Sequence, residues 1–225
     1  MIEQGTSAWK KSRIGYFTGS RIGDLMTSGK KKEDLFGKTA LSYIYEVAAE
    51  RDILPAYLDD DYLFEIYDRY VSINNKYLEH GKENESFAIE RYEIETGHTC
   101  HEVESIKHPS IKWFSASPDR IADVGQKKIV VEVKCPSLKK FIEYKHLIHD
   151  NKSLKQVESD YFYQIQAELA CTGLNEADFV AFCPFLKHPI HIVRITADEE
   201  VQKEIESRIS EAEKIIENLL SNEQH

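Results

Sequence analysis

Apolar residues recur along this chain at two spacings, which predict a mixture of helices and strands. Spacings of three and four residues predict amphipathic helices over residues 39–51, 62–73, 74–96, 137–149, 161–170 and 198–220. Runs of β-branched and aromatic residues predict strands over residues 100–106, 111–116, 129–133, 178–182 and 190–195. Capping residues predict short helices over residues 6–15 and 18–25, and polar composition predicts loops over residues 28–37 and 150–158.

The order of these elements predicts an α/β fold with a central mixed β-sheet flanked by helices. A helical N-terminal part over residues 1–97 precedes a sheet core over residues 98–196 and a C-terminal helix over residues 198–220. The sequence contains no internal repeat and no linker that would divide it. We therefore predict one domain that spans residues 1–225.

Two charged residues interrupt the predicted central strand. Glu132 lies within the apolar run 129–133, and Lys134 follows it. Because side chains alternate between the faces of a strand, these two share a face, and a buried charge is costly unless it is paired or binds a metal. Asp119 lies upstream, and the turn signal over residues 123–126 predicts a hairpin that returns Asp119 to Glu132.

Two carboxylates and a lysine in this arrangement are typical of a Mg²⁺-dependent phosphodiesterase. Hard cations such as Mg²⁺ prefer oxygen ligands. A metal between Asp119 and Glu132 would acidify a bound water and offset charge on a phosphate, while Lys134 could orient that water. The same pattern also suits a surface ion pair on an edge strand, and the motif alone does not choose between the two interpretations.

Composition narrows the class of protein. A net charge of −10 argues against a protein that coats nucleic acid non-specifically, although a local basic channel would still allow an enzyme to act on DNA. The basic residues that could form such a channel are Lys10, Lys11, Arg13, Arg21, Lys30 to Lys32, Lys127, Lys128, Lys139 and Lys140. No apolar run is long enough for a membrane span, the N-terminus is not that of a signal peptide, and the cysteines are scattered. We expect a cytoplasmic protein with reduced thiols.

The chain resembles one nuclease family in two places. The central motif resembles the PD-(D/E)xK nuclease superfamily, of restriction-endonuclease-like fold, in the residues Pro118-Asp119 and Glu132-Val133-Lys134. The N-terminus resembles the opening of the lambda-type phage exonucleases, the YqaJ-like viral recombinase family, in Glu3-Gln4-Gly5, Trp9, Arg13-Ile14-Gly15 and Thr18-Gly19-Ser20. Compatible elements follow in the same order to about Ile195.

This resemblance implies a set of metal ligands. The stretch Gly81-Lys82-x-x-Glu85 matches a motif in which the glutamate is the third active-site carboxylate, although other glutamates on the same helix compete for the assignment. Asp119, Glu132, the Val133 carbonyl and Glu85 would bind two Mg²⁺ ions, for which Mn²⁺ could substitute.

The resemblance also implies two catalytic residues that are not ligands. Lys134 would position or activate the attacking water. Gln164, in a Tyr-x-x-Gln-x-Gln stretch that resembles the trailing helix of the superfamily, would form a hydrogen bond near Lys134 or the DNA backbone. The alternative for Gln164 is an ordinary amide on a helix surface.

DNA-binding residues follow from the same resemblance. Arg13, Thr18, Ser20 and Ser117 match positions in and beside the family's 5′-phosphate site. Leu78 lies where a residue that separates the DNA strands is found in the family. The alternatives are helix capping with an exposed arginine at the first site, and a core residue for Leu78.

The activity that the family implies is 5′-to-3′ degradation of one strand of linear double-stranded DNA from a 5′-phosphorylated end. The products would be 3′ overhangs for a phage-type single-strand annealing protein, and the enzyme would form a homotrimeric ring around DNA. Two alternatives remain at this stage. One is another nuclease of the superfamily, either an endonuclease or a CRISPR-associated exonuclease of the Cas4 type, although the latter requires clustered cysteines. The other is a non-catalytic protein that binds DNA ends.

Overall fold

The structure, a computed structural model, describes residues 4–31, 33–72 and 76–221, with the side chains of residues 76–83 left aside. The helices are α1 Ser7–Lys11, α2 Ile22–Leu25, α3 Lys38–Arg51, α4 Pro55–Asp59, α5 Asp61–Val71, α6 Lys76–Thr96, α7 Leu138–Leu147, α8 Asn151–Val157, α9 Ser159–Thr172 and α10 Glu199–Ser221. The strands are β1 Phe17–Thr18, β2 Thr99–His101, β3 Ile106–Lys107, β4 Phe114–Ala116, β5 Arg120–Val124, β6 Lys127–Lys134, β7 Glu176–Phe182 and β8 Ile190–Thr196.

Strands of the described residues form two mixed sheets. The larger has the order β2-β5-β6-β7-β8, in which only the central pair β6 and β7 is parallel. The smaller has the order β1-β4-β3, with β1 and β4 parallel. Helices pack against these sheets, so the predicted α/β class with mixed sheets flanked by helices is confirmed.

The central strand β6 is buried on both faces, as its apolar run predicts. Val130 belongs to the main core cluster, together with Phe141 of α7 and Ile165 of α9. Val131 points the other way, into a second cluster that includes Tyr92 of α6. Alternation along β6 therefore places Glu132 on the same side as α9, because Glu132 shares a face with Val130.

One predicted strand and one predicted loop are wrong. The predicted strand 100–106 is split between β2 and β3, which pair with strands of different sheets, so the chain has to cross from one sheet to the other between them. The predicted loop 150–158 contains helix α8. A capping box between Asp150 and Ser153 begins α8 and buried Leu154 anchors it, but so few apolar residues give no periodicity that a sequence pattern could show.

The remaining predicted elements differ from the structure at their ends. The predicted strand 111–116 is only three residues long, and the predicted helix 62–73 corresponds to α5, with the additional short helix α4 before it. Asp60, in the acidic run between these helices, caps α5 by accepting a hydrogen bond from the Leu63 amide at 2.9 Å. Every helix in the described part of the chain is too short or too polar to cross a lipid bilayer.

Candidate active site

The β5–β6 hairpin places the first two candidate carboxylates side by side. Arg120 pairs with Val131, so the preceding residue, Asp119, reaches the level of Glu132. Gly125 makes the tight turn with a φ of +63°, a backbone conformation that residues other than glycine rarely adopt. The Asp119 carboxylate accepts a hydrogen bond from the Val133 amide at 2.7 Å, which fixes it at the strand end.

Glu132, Lys134 and Gln164 form a compact hydrogen-bonded triangle. Lys134 Nζ donates to Glu132 Oε1 at 2.6 Å and to Gln164 Oε1 at 3.1 Å. Gln164 Nε2 donates to the same Glu132 oxygen at 2.6 Å. Gln164 is buried on α9 beneath the strand, so the interpretation as a helix-surface amide is wrong.

Glu85 approaches the same group from α6 and carries an arginine partner. Arg120 Nη1 donates to Glu85 Oε1 at 3.2 Å, and its other terminal nitrogen lies 3.6 Å from Glu102. Two of the competing glutamates on α6 are engaged elsewhere: Glu93 accepts from the Cys100 amide, and Glu95 pairs with Arg91. Glu85 is therefore the glutamate of the described part of α6 that lines the cleft.

A cleft of about 840 Å³ brings together most of the residues that the sequence singled out. The predicted site residues that line it are Arg13, Ser20, Glu85, Ser117, Asp119, Glu132, Val133, Lys134 and Gln164. These residues come from the N-terminal segment, α6, the β5–β6 hairpin and α9. Carboxylates at one end and a cation with two hydroxyl groups at the other thus share one solvent-filled space.

The cation end of the cleft is built around Arg13. Its guanidinium lies over the Trp9 ring at 4.0 Å from the centroid and donates to Ser20 Oγ at 3.2 Å. Burial lowers the pKa of Arg13, although an arginine keeps its charge at neutral pH. Ser117 Oγ is buried and has no hydrogen-bond partner in the described part of the chain. A stacked guanidinium and nearby hydroxyl groups suit an anionic ligand such as a phosphate.

Thr18, a predicted DNA-binding residue, does not line this cleft. Thr18 is buried, its amide donates to the Tyr43 hydroxyl at 2.9 Å, and it lines an adjoining pocket of about 240 Å³. Its neighbour Gly19 packs closely against Ala116, so Thr18 lies in a packed part of the structure. Leu78 lies outside the described side chains.

Sequence reasoning missed two residues of the site. Glu168 is buried on α9 and accepts from Gln164 Nε2 at 3.0 Å. Tyr161 lines the cleft, and its ring centroid lies 4.6 Å from Lys134 Nζ. Glu168 follows Gln164 by one helical turn, and this spacing of polar residues on an otherwise apolar helix is the signal that could have identified it.

Crowded carboxylates dominate the electrostatics of the cleft. Burial and the nearby charge of Glu132 hold the pKa of Asp119 well above its ordinary range. Burial and the charges of Glu132 and Asp119 do the same for Glu168. Burial lowers the pKa of Lys134, but the charges of Glu132 and Asp119 outweigh it and raise that pKa overall, so the lysine is a cation. One lysine cannot neutralise so many carboxylates.

Divalent cations fit this donor set. Within the described residues, Glu132 Oε2 is buried without a hydrogen-bond partner, and carboxylate oxygens are the ligands that Mg²⁺ and Mn²⁺ accept. Burial raises the pKa of the Cys135 thiol in the same cleft to about 12. Among the described side chains, no three acidic, histidine or cysteine residues form a group that could hold a metal ion, and Glu85 is paired with Arg120.

Comparison with known proteins identifies the family of the chain. Residues 8–175 match the YqaJ-like viral recombinase domain. The chain belongs to this family. No curated protein matches the chain with significance.

Two solved structures are similar along almost the whole chain. An alkaline exonuclease from Laribacter hongkongensis is 29% identical with a TM-score of 0.71, over 96% of this chain and 97% of the other, and it has also been solved in complex with dAMP. A phage-related exonuclease from Haemophilus somnus 129PT is 18% identical with a TM-score of 0.68, over 93% and 96% of the two chains. The second likeness shows the fold alone. Family and fold together support a nuclease of the alkaline exonuclease type.

Proposed function

We propose that this protein is a Mg²⁺-dependent exonuclease that degrades one strand of linear double-stranded DNA from a 5′-phosphorylated end. The observation that carries this proposal is the cleft itself. It holds the Asp119–Glu132–Lys134 group and the Arg13–Ser20–Ser117 group in one space of about 840 Å³. Removal of nucleotides from a phosphorylated end requires a group of residues that cleaves the phosphodiester and a separate site that binds the terminal phosphate.

The carboxylate group would hold the metal. Asp119, Glu132 and the Val133 carbonyl would bind one ion, and Asp119 with Glu85 would bind a second. Bound Mg²⁺, or Mn²⁺ in its place, would supply acidified water and would offset charge on the scissile phosphate. Glu85 becomes available when Arg120 releases it, and the freed arginine can then face a phosphate.

Lys134 acts as the cation of the reaction. Its two acceptors, Glu132 and Gln164, fix its ammonium group, and its position in the cleft is that of a group that orients water or stabilises negative charge at the phosphate. Burial lowers the pKa of Lys134, but the charges of Glu132 and Asp119 raise it overall, so the side chain carries a positive charge.

Arg13, Ser20 and Ser117 would bind the terminal phosphate. Arg13 presents a planar set of N–H donors, and the hydroxyl groups add donors that no other protein group satisfies at Ser117. An end held in this way sets the direction of degradation from 5′ to 3′ and leaves a 3′ overhang.

Family membership supports two further parts of the proposal. A homotrimer would enclose the duplex and keep an acidic chain on DNA, and a phage-type single-strand annealing protein in the cytoplasm would take up the overhang. Light scattering coupled to size exclusion tests the first part, because a trimer has three times the 26.0 kDa mass of the chain.

Digestion of an end-labelled duplex tests the activity. The substrate carries a 5′-phosphate or a 5′-hydroxyl, and each is incubated with and without Mg²⁺. We expect metal-dependent release of 5′-terminal nucleotides that is faster with the phosphate. Cleavage of circular DNA would instead indicate an endonuclease of the superfamily, and binding without any cleavage would indicate a DNA-end adaptor.

Replacement of the lysine tests its role in the same assay. Lys134→Ala should bind the DNA end with near-normal affinity in Ca²⁺ but should lower kcat by roughly a hundredfold or more, because a fixed charge at the phosphate is lost. Lys128→Ala, at the exposed start of the same strand, is the matched control and should keep normal turnover. Unchanged turnover in Lys134→Ala would contradict the assigned role.

A further inference from the structure

Glu168 is a buried carboxylate beneath the catalytic strand that the proposed chemistry does not use. Its side chain is 1% exposed, and within the described chain no lysine or arginine forms an ion pair with it. Its Oε2 atom has no hydrogen-bond partner. Leucine at this place on α9 would fill the core without the cost of burying a polar group, so packing does not account for a carboxylate here.

The contacts of Glu168 converge on one amide. Gln164 Nε2 donates to Glu168 Oε1 at 3.0 Å and to Glu132 Oε1 at 2.6 Å. An amide nitrogen has two hydrogens, and these two acceptors use both of them. With its nitrogen held by two carboxylates, the amide has to present its oxygen to the opposite side, where Lys134 Nζ donates to it at 3.1 Å.

The orientation of this amide decides where the lysine points. If Gln164 turned over, its oxygen would face the Glu132 carboxylate and its nitrogen would face the Lys134 ammonium group, and both contacts would become repulsive. Glu132 alone provides one acceptor for the nitrogen; Glu168 provides the second acceptor on the far side of the amide. Glu168 lies one helical turn from Gln164 on the same rigid helix, so its acceptor is fixed relative to the amide.

We propose that Glu168 is a positioning residue that locks the Gln164 amide and thereby aims Lys134 at the scissile phosphate. This inference rests on the proposed function for the role of Lys134, but the lock itself is a property of the protein alone. Indirect partners of this kind typically change activity by about 10- to 100-fold when they are removed.

A double-mutant cycle with steady-state kinetics tests the kinetic part. Glu168→Leu should lower kcat about 10- to 100-fold with little change in the KM for a 5′-phosphorylated duplex. Glu168→Gln keeps an oxygen acceptor and should restore most of the lost kcat. In a Gln164→Ala background, Glu168→Leu should have no further effect. Wild-type kcat in Glu168→Leu, or effects that multiply in the double variant, would overturn the proposal.

A spectroscopic measurement on the protein without DNA or metal tests the lock directly. The side-chain NH₂ signals of Gln164 can be assigned in a ¹⁵N–¹H spectrum by their loss in Gln164→Ala. In the wild type we expect them to be shifted and protected from hydrogen exchange, and in Glu168→Leu to exchange faster, with protection regained in Glu168→Gln. Signals that do not differ between wild type and Glu168→Leu would overturn the proposal, even in a protein that folds normally by circular dichroism.

The two measurements separate this inference from the proposed function. Absence of metal-dependent cleavage by the wild type would refute the exonuclease, while the amide signals would still decide whether Glu168 sets Gln164. Cleavage by the wild type together with normal cleavage by Glu168→Leu would refute only the positioning role.

Discussion

Replacement of Arg13 can distinguish binding of a DNA end from binding of an internal phosphate. Arg13 is held from below by the Trp9 ring and from the side by Ser20, so its remaining N–H donors face the cleft. In the proposed function, these donors bind the terminal phosphate.

Arg13→Ala should remove the preference for a 5′-phosphate and leave a slow residual activity. We expect the ratio of kcat/KM for phosphate and hydroxyl ends to fall towards one, because a charge-assisted pair of about 2 kcal/mol accounts for roughly a 30-fold preference. The measurement is competition between the two ends on duplexes of the same sequence. Arg21→Ala is the control, since Arg21 is already paired with Asp24 and Glu46. A preference that survives in Arg13→Ala would place the terminal phosphate elsewhere.

How far the sequence predicted individual residues depended on whether their geometry is local. Asp119, Glu132 and Lys134 could be placed together because strand alternation and one hairpin turn set their positions. Glu85 comes from a distant helix, and only the family resemblance selected it. Glu168 was missed, because its one local signal, a spacing of one helical turn from Gln164, does not show that a sheet will cover this face of the helix.

At the scale of elements, Arg51 ties the N-terminal segment to the last helix. It forms two hydrogen bonds with Glu213 of α10 at 2.7 and 2.6 Å, donates to the Gly15 carbonyl at 2.7 Å and lies over the Trp113 ring. Its side chain is only 10% exposed. The loop that carries Arg13 is therefore held by an arginine on α3.

Arg51→Ala should lower the free energy of unfolding by about 3 kcal/mol, because Glu213 would keep a largely buried charge without its partner. Urea denaturation followed by circular dichroism measures this change. Arg69→Ala removes an exposed pair with Glu65 one helical turn away and should leave the transition midpoint nearly unchanged. Equal midpoints for the two variants would show that the Arg51 contacts contribute no more than a surface pair.

His108, in the connection between β3 and β4, should make the stability of the protein depend on pH. Its Nδ1 accepts from the backbone amides of Ser110 and Ile111, and its ring stacks on Phe114 while Nε2 faces Glu206 of α10. Burial lowers the pKa of His108, with Glu206 opposing that effect only in part. Protonation would put a hydrogen on the nitrogen that receives the two amides.

The sign of this effect follows from linkage. The unfolded state takes up a proton near pH 6.5 and the folded state only at lower pH, so the stabilisation present above pH 6.5 is lost as the pH falls. His108→Asn keeps an acceptor that does not titrate, and its free energy of unfolding should fall less than that of the wild type between pH 7.5 and pH 5. Urea midpoints across this range measure the difference, with exposed His188→Asn as control. Parallel profiles for wild type and His108→Asn would contradict the assignment.

Helices and strands were predicted correctly where burial produced a regular spacing of apolar residues. The prediction failed where contacts with distant parts of the chain determine the structure. Strand β6 and helices α9 and α10 lie close to their predicted positions, because each buries a continuous apolar stripe. The split between β2 and β3 depends on two different sheet partners, which are distant in sequence. No local pattern carries that information.

At the scale of the whole molecule, the distribution of charge limits how DNA can be held. Several of the basic residues that the sequence offered for a DNA channel are paired with carboxylates. The pairs are Lys10–Asp68 at 2.5 Å, Lys11–Asp61 at 2.8 Å and Lys140–Glu158 at 2.8 Å. The chain has a net charge of −10, and the cations that the proposed function uses in the cleft are Arg13 and Lys134.

Binding of a DNA end should therefore depend only weakly on salt. Each neutralised phosphate contributes about −0.9 to the slope of log K against log salt. Lys134 is already paired with Glu132, so contacts through Arg13 and a bound cation predict a slope of about −2. Fluorescence anisotropy of a labelled 5′-phosphorylated duplex measures it between 50 and 200 mM salt, with Ca²⁺ held constant to prevent cleavage. Arg13→Ala should reduce the slope by about one, and Lys128→Ala should leave it unchanged. A slope steeper than about −6 would contradict end binding by the cleft and would indicate that DNA contacts a broad basic surface.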